Sequence, residues 1–225
     1  MNPVTKHTVH KVFRRTHDPI WQLQIGVIII MALQFFTDSS FLPYNKYIII
    51  GLEAILLLAL AIVTSDGYHR VSRSRRLLAL SLIAIVAVIN IFSLVFLVRA
   101  LLFDHVTGVD GTALLQNGFT IYITNIFMFA LLYWEADGGG PDKRVAKEHK
   151  RDFLFPQMIH RDISPASWLP GFIDYLYLST TNVTNFASAD TIPISHRAKL
   201  LMMIQALVSV ITVVLVAARA IGILQ

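Results

Sequence analysis

The 225-residue chain contains no cysteine. That excludes a disulfide framework, a cysteine metal site and a thiol nucleophile. Charge is scarce as well. Only 15% of residues are Asp, Glu, Lys or Arg, against 55% hydrophobic, and the apolar residues gather in long runs. Such a composition belongs to transmembrane helices, not to a soluble domain. No Ser/His/Asp arrangement, phosphate-cradling glycine loop or metalloprotease helix motif occurs. No enzyme activity is therefore expected, and no catalytic residue or cofactor is assigned. His7, His10 and His17 follow no standard metal-ligand spacing. There is no internal repeat and no low-complexity tract. The first apolar run starts near Ile20 and lacks a small-residue cleavage site, so it is expected to act as a signal anchor.

What the chain does have is apolar length. Five stretches, Ile20–Phe36, Tyr47–Thr64, Leu77–Phe103, Leu114–Trp134 and Ala198–Leu224, each approach the roughly 20 residues that a bilayer core requires. Trp21, Tyr44, Tyr47, Tyr133 and Trp134 stand at their ends, where interfacial aromatics belong. The net charge of +5 comes from the connecting segments and fits contact with anionic lipid, not nucleic acid. Lysines and arginines crowd a basic arm over residues 1–19, with Lys6, Lys11, Arg14 and Arg15. They also crowd the 64–76 loop and the long polar connection that begins at Glu135. The loops near 40 and 108 are almost free of them. By the positive-inside rule the N-terminus is cytoplasmic and the C-terminus external. Within the connection, Gly138, Gly139, Gly140 and Pro141 predict a break. The mixed charge of 142–152 has helical spacing, which suggests an interfacial helix or a solvated loop. Phe153, Phe155 and Trp168 are expected to rest on the bilayer surface.

One polar strip interrupts this pattern. Residues 179–193, Ser-Thr-Thr-Asn-Val-Thr-Asn-Phe-Ala-Ser-Ala-Asp-Thr-Ile-Pro, lie between an aromatic segment at 172–178 and the last apolar run. Non-helical backbone at membrane depth survives only where protein or a water-filled cavity surrounds it. A re-entrant helix and loop over about 171–193 is the expectation. Ser179, Thr181, Thr184, Asp190 and Pro193 match, without gaps, the pore loop of the tetrameric potassium-channel superfamily, which this strip resembles. Ala198–Leu201, Gln205–Ser209 and Val216–Gly222 likewise resemble that family's inner helix. The chain is also similar to bacterial inner-membrane proteins of comparable size that carry an aromatic, polar and Asp stretch before their last helix. The resemblance implies a homotetramer with a monovalent cation as permeant. Asn185, Phe186, Ala187, Ser188 and Ala189 replace the family's filter residues, and its two glycines become Ala187 and Ala189. Alanine is penalised at positive φ, so a filter of stacked carbonyls gives way to a wider loop. Side-chain oxygens of Thr184, Asn185 and Ser188 would then serve it, with weak or altered potassium selectivity. Asp190 would concentrate cations around a symmetry axis, or make a local hydrogen bond. The charge bias conflicts with the resemblance, because it has the loop enter from the cytoplasmic side.

Three further features bear on function. Gln205, Ser209 and Thr212 share one face of the last helix with Val216 and Arg219. This stripe suits pore lining or, equally, interhelical hydrogen bonding. Glu53 lies in the middle of the second run, and ionisable residues at that depth are functional candidates. Asn90 and Asn125 are intramembrane polar residues that could bond across helices, and Arg99 is a candidate partner for Glu53 where depths match. The expected architecture is an all-α integral membrane protein with five transmembrane helices plus a re-entrant pore helix and loop. A peripheral three-helix unit (20–103) would join a two-helix pore-like module (114–225). The expected function is a homotetrameric cation channel in the cell membrane. The alternatives are a non-conducting membrane scaffold or sensor, and a small proton-coupled transporter.

Overall fold

A computed structural model describes residues 21–37, 45–65, 73–103, 111–146, 150–160, 162, 164–165, 168–185 and 190–223. The basic arm falls outside these residues, as does the filter segment 186–189. The helices are α1 (Trp21–Phe36), α2 (Lys46–Ser65), α3 (Arg73–Phe103), α4 (Gly111–Ala136), α5 (Pro141–Ala146), α6 (Pro156–Ile159), α7 (Phe172–Thr184) and α8 (His196–Ile223). Among the described residues the fold is all-α but for two short strands, β1 (Phe153–Leu154) and β2 (Ile192–Pro193). Among the described residues three helical stretches, Arg75–Leu101, Thr112–Gly139 and His196–Ile221, are long and apolar enough to cross a membrane.

The long helices alternate in direction. The end of α1 meets the start of α4, where Gln116 Nε2 donates to the Phe36 carbonyl at 3.2 Å. The start of α2 closes on the same place, with Lys46 Nζ donating to the carbonyls of Phe35 and Thr37. At the opposite end, Arg75 in the first turns of α3 pairs with Glu135 in the last turn of α4 at 2.9 Å. Tyr133 near the end of α4 bonds Gln205, one-third of the way along α8. The start of α1, the start of α3 and the end of α4 therefore lie at one end of the bundle, the end that holds Arg75 and Glu135.

The apolar runs pack because their helices are hydrophobic nearly all round, so a buried stripe coexists with an outer aliphatic surface. The inner stripe is one core cluster. It takes Leu23, Val27 and Ile30 from α1, Leu60 from α2, Leu82 and Val86 from α3, Phe129 and Trp134 from α4, Tyr175 and Leu178 from α7, and Ala198 from α8. Helices on both sides of the 103–114 connection contribute to this core. The outer surface of α8 is aliphatic along its length, with Leu200, Met203, Leu207 and Val214 exposed.

Beyond α4 the chain reverses through Gly138, Gly139 and Gly140, whose φ values are 58°, 83° and 105°. Only glycine adopts three successive positions of that kind without steric cost. Helix α5 covers Pro141–Ala146, and residues 147–149 lie outside the described residues. Strand β1 then pairs antiparallel with β2, Phe153 opposite Pro193 and Leu154 opposite Ile192. Phe153 and Phe155 are buried and do not rest on a bilayer surface. They stack edge-on against Tyr133, Tyr175 and Trp168. An aromatic plug is the better refuge for these rings, because α4 and α7 already present aromatic side chains there.

Candidate functional site

The polar strip begins on a helix. Gly171 N donates to Asp174 Oδ2 at 2.7 Å, so Asp174 caps α7 by satisfying a backbone donor that the first turn leaves free. The helix starts beside Trp134, against which Phe172 packs. It then runs into the bundle until Ser179 Oγ donates to the Ile126 carbonyl at 2.7 Å. Ile126 lies ten residues before the end of α4, about 15 Å along its axis at 1.5 Å per residue. After α7 the chain returns to its starting level, because Ile194 N donates to the Asp152 carbonyl at 2.8 Å. Entry and exit of residues 171–194 thus lie at one end of the bundle.

Gln205 is the hub of this region. It is fully buried. Its Oε1 accepts from Tyr133 Oη at 2.6 Å and from Asn182 Nδ2 at 2.8 Å. Its Nε2 donates to Ser179 Oγ at 2.6 Å and to the Ser179 carbonyl at 3.3 Å. Asn182 Nδ2 also reaches the Met202 carbonyl at 3.1 Å. One turn further along α8, Ser209 Oγ accepts from Asn125 Nδ2 at 2.7 Å. Thr212 Oγ1 donates to the Val208 carbonyl of its own helix. The polar stripe of α8 therefore faces α4 and α7 inside one subunit. Gln205, Ser209 and Thr212 are at most 1% exposed and do not line a surface on the outside of the subunit. Gln205 and Ser209 make hydrogen bonds to neighbouring helices, and Thr212 bonds within its own helix. Unpaired polar groups at membrane depth would be costly, and each helix supplies the other's partner.

The remaining strip residues divide by position. Thr181 is buried and its hydroxyl is spent on the carbonyls of Tyr177 and Leu178. Thr184 is exposed, with its hydroxyl on the Thr180 carbonyl. Asn185 ends the helix, exposed, and Asp190 is exposed in the turn after the filter segment. Phe186, Ala187, Ser188 and Ala189 lie outside the described residues. Glu53 is fully buried and accepts from Gln34 Nε2 at 3.2 Å, so Gln34, not Arg99, is its partner in α1.

A second constellation, not anticipated from the sequence, sits at the end where α4 stops. The buried Asp137 carboxylate accepts from Asp152 N at 2.6 Å, Phe153 N at 3.2 Å and Tyr175 Oη at 2.6 Å. Arg151 stands 3.7 Å from the same carboxylate. The Arg144 guanidinium donates to the carbonyls of Trp134 and Asp137 and lies 5.1 Å from the Tyr175 ring centroid. Burial pushes the Tyr175 hydroxyl well above the ordinary tyrosine range, with Arg144 opposing the shift. It remains a proton donor to Asp137. These groups tie the return of the chain to the start of α7. The available signal was two acids, Glu135 and Asp137, directly after an apolar run and before three glycines. No known family, curated protein or solved structure matches the chain.

Proposed function

We propose that the chain is a multi-pass protein of the cell membrane, of the bacterial inner-membrane kind. In this reading α1, α2, α3, α4 and α8 are five spans and α7 with its following loop is re-entrant. The basic end of the bundle faces the cytoplasm, so the loop dips from that side. Its working role is a non-conducting scaffold or sensor in the lipid bilayer. The Gln205 network carries this reading: the polar groups that would face water in a pore are consumed between α4, α7 and α8 of one subunit. A homotetrameric cation channel is the second reading. It is favoured by the exposed Thr184, Asn185 and Asp190 at the tip of the strip, and by the uncovered aliphatic face of α8, which four copies would bury.

Two measurements decide between them. Mass in detergent reports the oligomer, and potassium or sodium flux from liposomes reports conduction. The scaffold reading expects flux no greater than in protein-free liposomes. A tetramer whose flux is altered by Asp190→Asn would refute it in favour of the channel. A reporter fused to the C-terminus is expected to be active only outside the cytoplasm; a cytoplasmic signal would overturn the orientation.

A further inference from the structure

The bundle holds a cavity away from the α7 network, lined by α1, α2, α3 and α4. Its wall includes Gln34, Asn90, Ser93, Asn117, Thr120 and Thr124. About 40 Å³ is open to water centres. A cavity needs roughly 10–15 Å³ on that measure to hold one water, so the space suits about three. Asn117 and Thr124 are at most 5% exposed. Neither amide atom of Asn117, nor the Thr124 hydroxyl, has a hydrogen-bond partner among the described residues. Seven residues separate them on α4, about 10 Å at 1.5 Å per residue, so unpartnered groups recur along the length of the space.

Cavities that stay dry are apolar, and buried waters sit where otherwise unsatisfied polar groups converge. The Lys46 ammonium at one end is held by the Phe35 and Thr37 carbonyls at 2.9 and 2.7 Å, and its positive charge opposes a bound cation. Gln34 belongs to the wall and also donates to Glu53, whose Oε2 has no partner among the described residues. We propose that this cavity is a water-binding site, and that its waters form a vestibule leading from the Lys46 end of the bundle to the Gln34–Glu53 pair. Glu53 is then in contact with water although no surface of the protein exposes it. The inference stands apart from the scaffold and channel readings, since it uses none of the α7 residues.

The cysteine-free chain allows a direct test. Single variants Ser93→Cys, Thr124→Cys and Glu53→Cys are reconstituted in liposomes and exposed to silver ion, a water-sized thiol reagent. Unreacted thiol is then counted with a maleimide after denaturation. Thiols react as thiolates, which need water. Leu60→Cys, in the dry core, sets the background rate, and each variant must elute from a sizing column as the parent does. Ser93→Cys and Thr124→Cys are near-isosteric and keep the test valid should Glu53→Cys fail to fold. All three thiols are expected to react at least tenfold faster than Leu60→Cys. Ser93→Cys and Thr124→Cys reacting at the background rate would overturn the water site. Glu53→Cys alone at background, in a folded protein, would overturn the vestibule.

Discussion

Replacing Gln205 by leucine tests the arrangement on which the fold of the polar strip depends. The side chain fills the same volume approximately, so the change removes hydrogen bonds with little effect on packing. Four contacts are lost: two accepted, from Tyr133 and Asn182, and two donated, to the hydroxyl and carbonyl of Ser179. Asn182 keeps its bond to the Met202 carbonyl and Ser179 its bond to the Ile126 carbonyl. Tyr133 is left as the orphan. Interhelical hydrogen bonds in membranes average about 0.6 kcal/mol, so four come to about 2–3 kcal/mol. For a chain of this size that lowers Tm by roughly 5–10 °C, at about 2–4 °C per kcal/mol. The assay is thermal unfolding in mild detergent. Tyr133→Phe in the same background removes the orphaned hydroxyl, so the double variant should be more stable than additivity predicts by about 1 kcal/mol. A Gln205→Leu cost below about 0.5 kcal/mol, or strict additivity with Tyr133→Phe, would show that the hub does not hold α7 in place.

Asp137→Ala strips acceptors from Asp152 N, Phe153 N and Tyr175 Oη. The Phe153 and Tyr175 donors are fully buried, so the change should cost about 2–6 kcal/mol, at about 1–3 kcal/mol per buried donor left unpaired. The same change should speed protease cleavage between residues 140 and 152, and Asp137→Asn should do less. Gly118 lies where α4 meets α8, and a Cβ there would overlap Val216 Cγ2. Gly118→Ala is expected to destabilise by about 1–3 kcal/mol through overpacking, with Val216→Ala restoring most of the loss in a thermal scan. Arg75→Met removes the 2.9 Å ion pair to the buried Glu135 carboxylate, and breaking one side of a buried pair typically costs about 3–5 kcal/mol. The double variant with Glu135→Met should unfold at a higher temperature than either single one, and a lower temperature would refute the pairing.

The sequence by itself determined the all-helical character and the apolar segments. Runs such as Leu77–Phe103 and Ala198–Leu224 leave no other structure able to satisfy backbone groups in lipid. It also marked the break at Gly138–Gly140. It did not determine where polar side chains point. Gln205, Ser209 and Thr212 fall on one helical face whether that face meets water or a neighbouring helix. The periodicity is identical in both cases, and only the packing of α4 and α7 against α8 selects the second. For the same reason Asn117 and Thr124 read as ordinary polar residues of an apolar helix until α1, α2 and α3 close a space around them. Phe153 and Phe155 carried no local sign of burial, because the ring partners that hide them come from Tyr133, Trp168 and Tyr175, all distant in the chain. Segment identity follows from local composition and length, whereas burial and pairing follow from contacts that only the folded chain brings together.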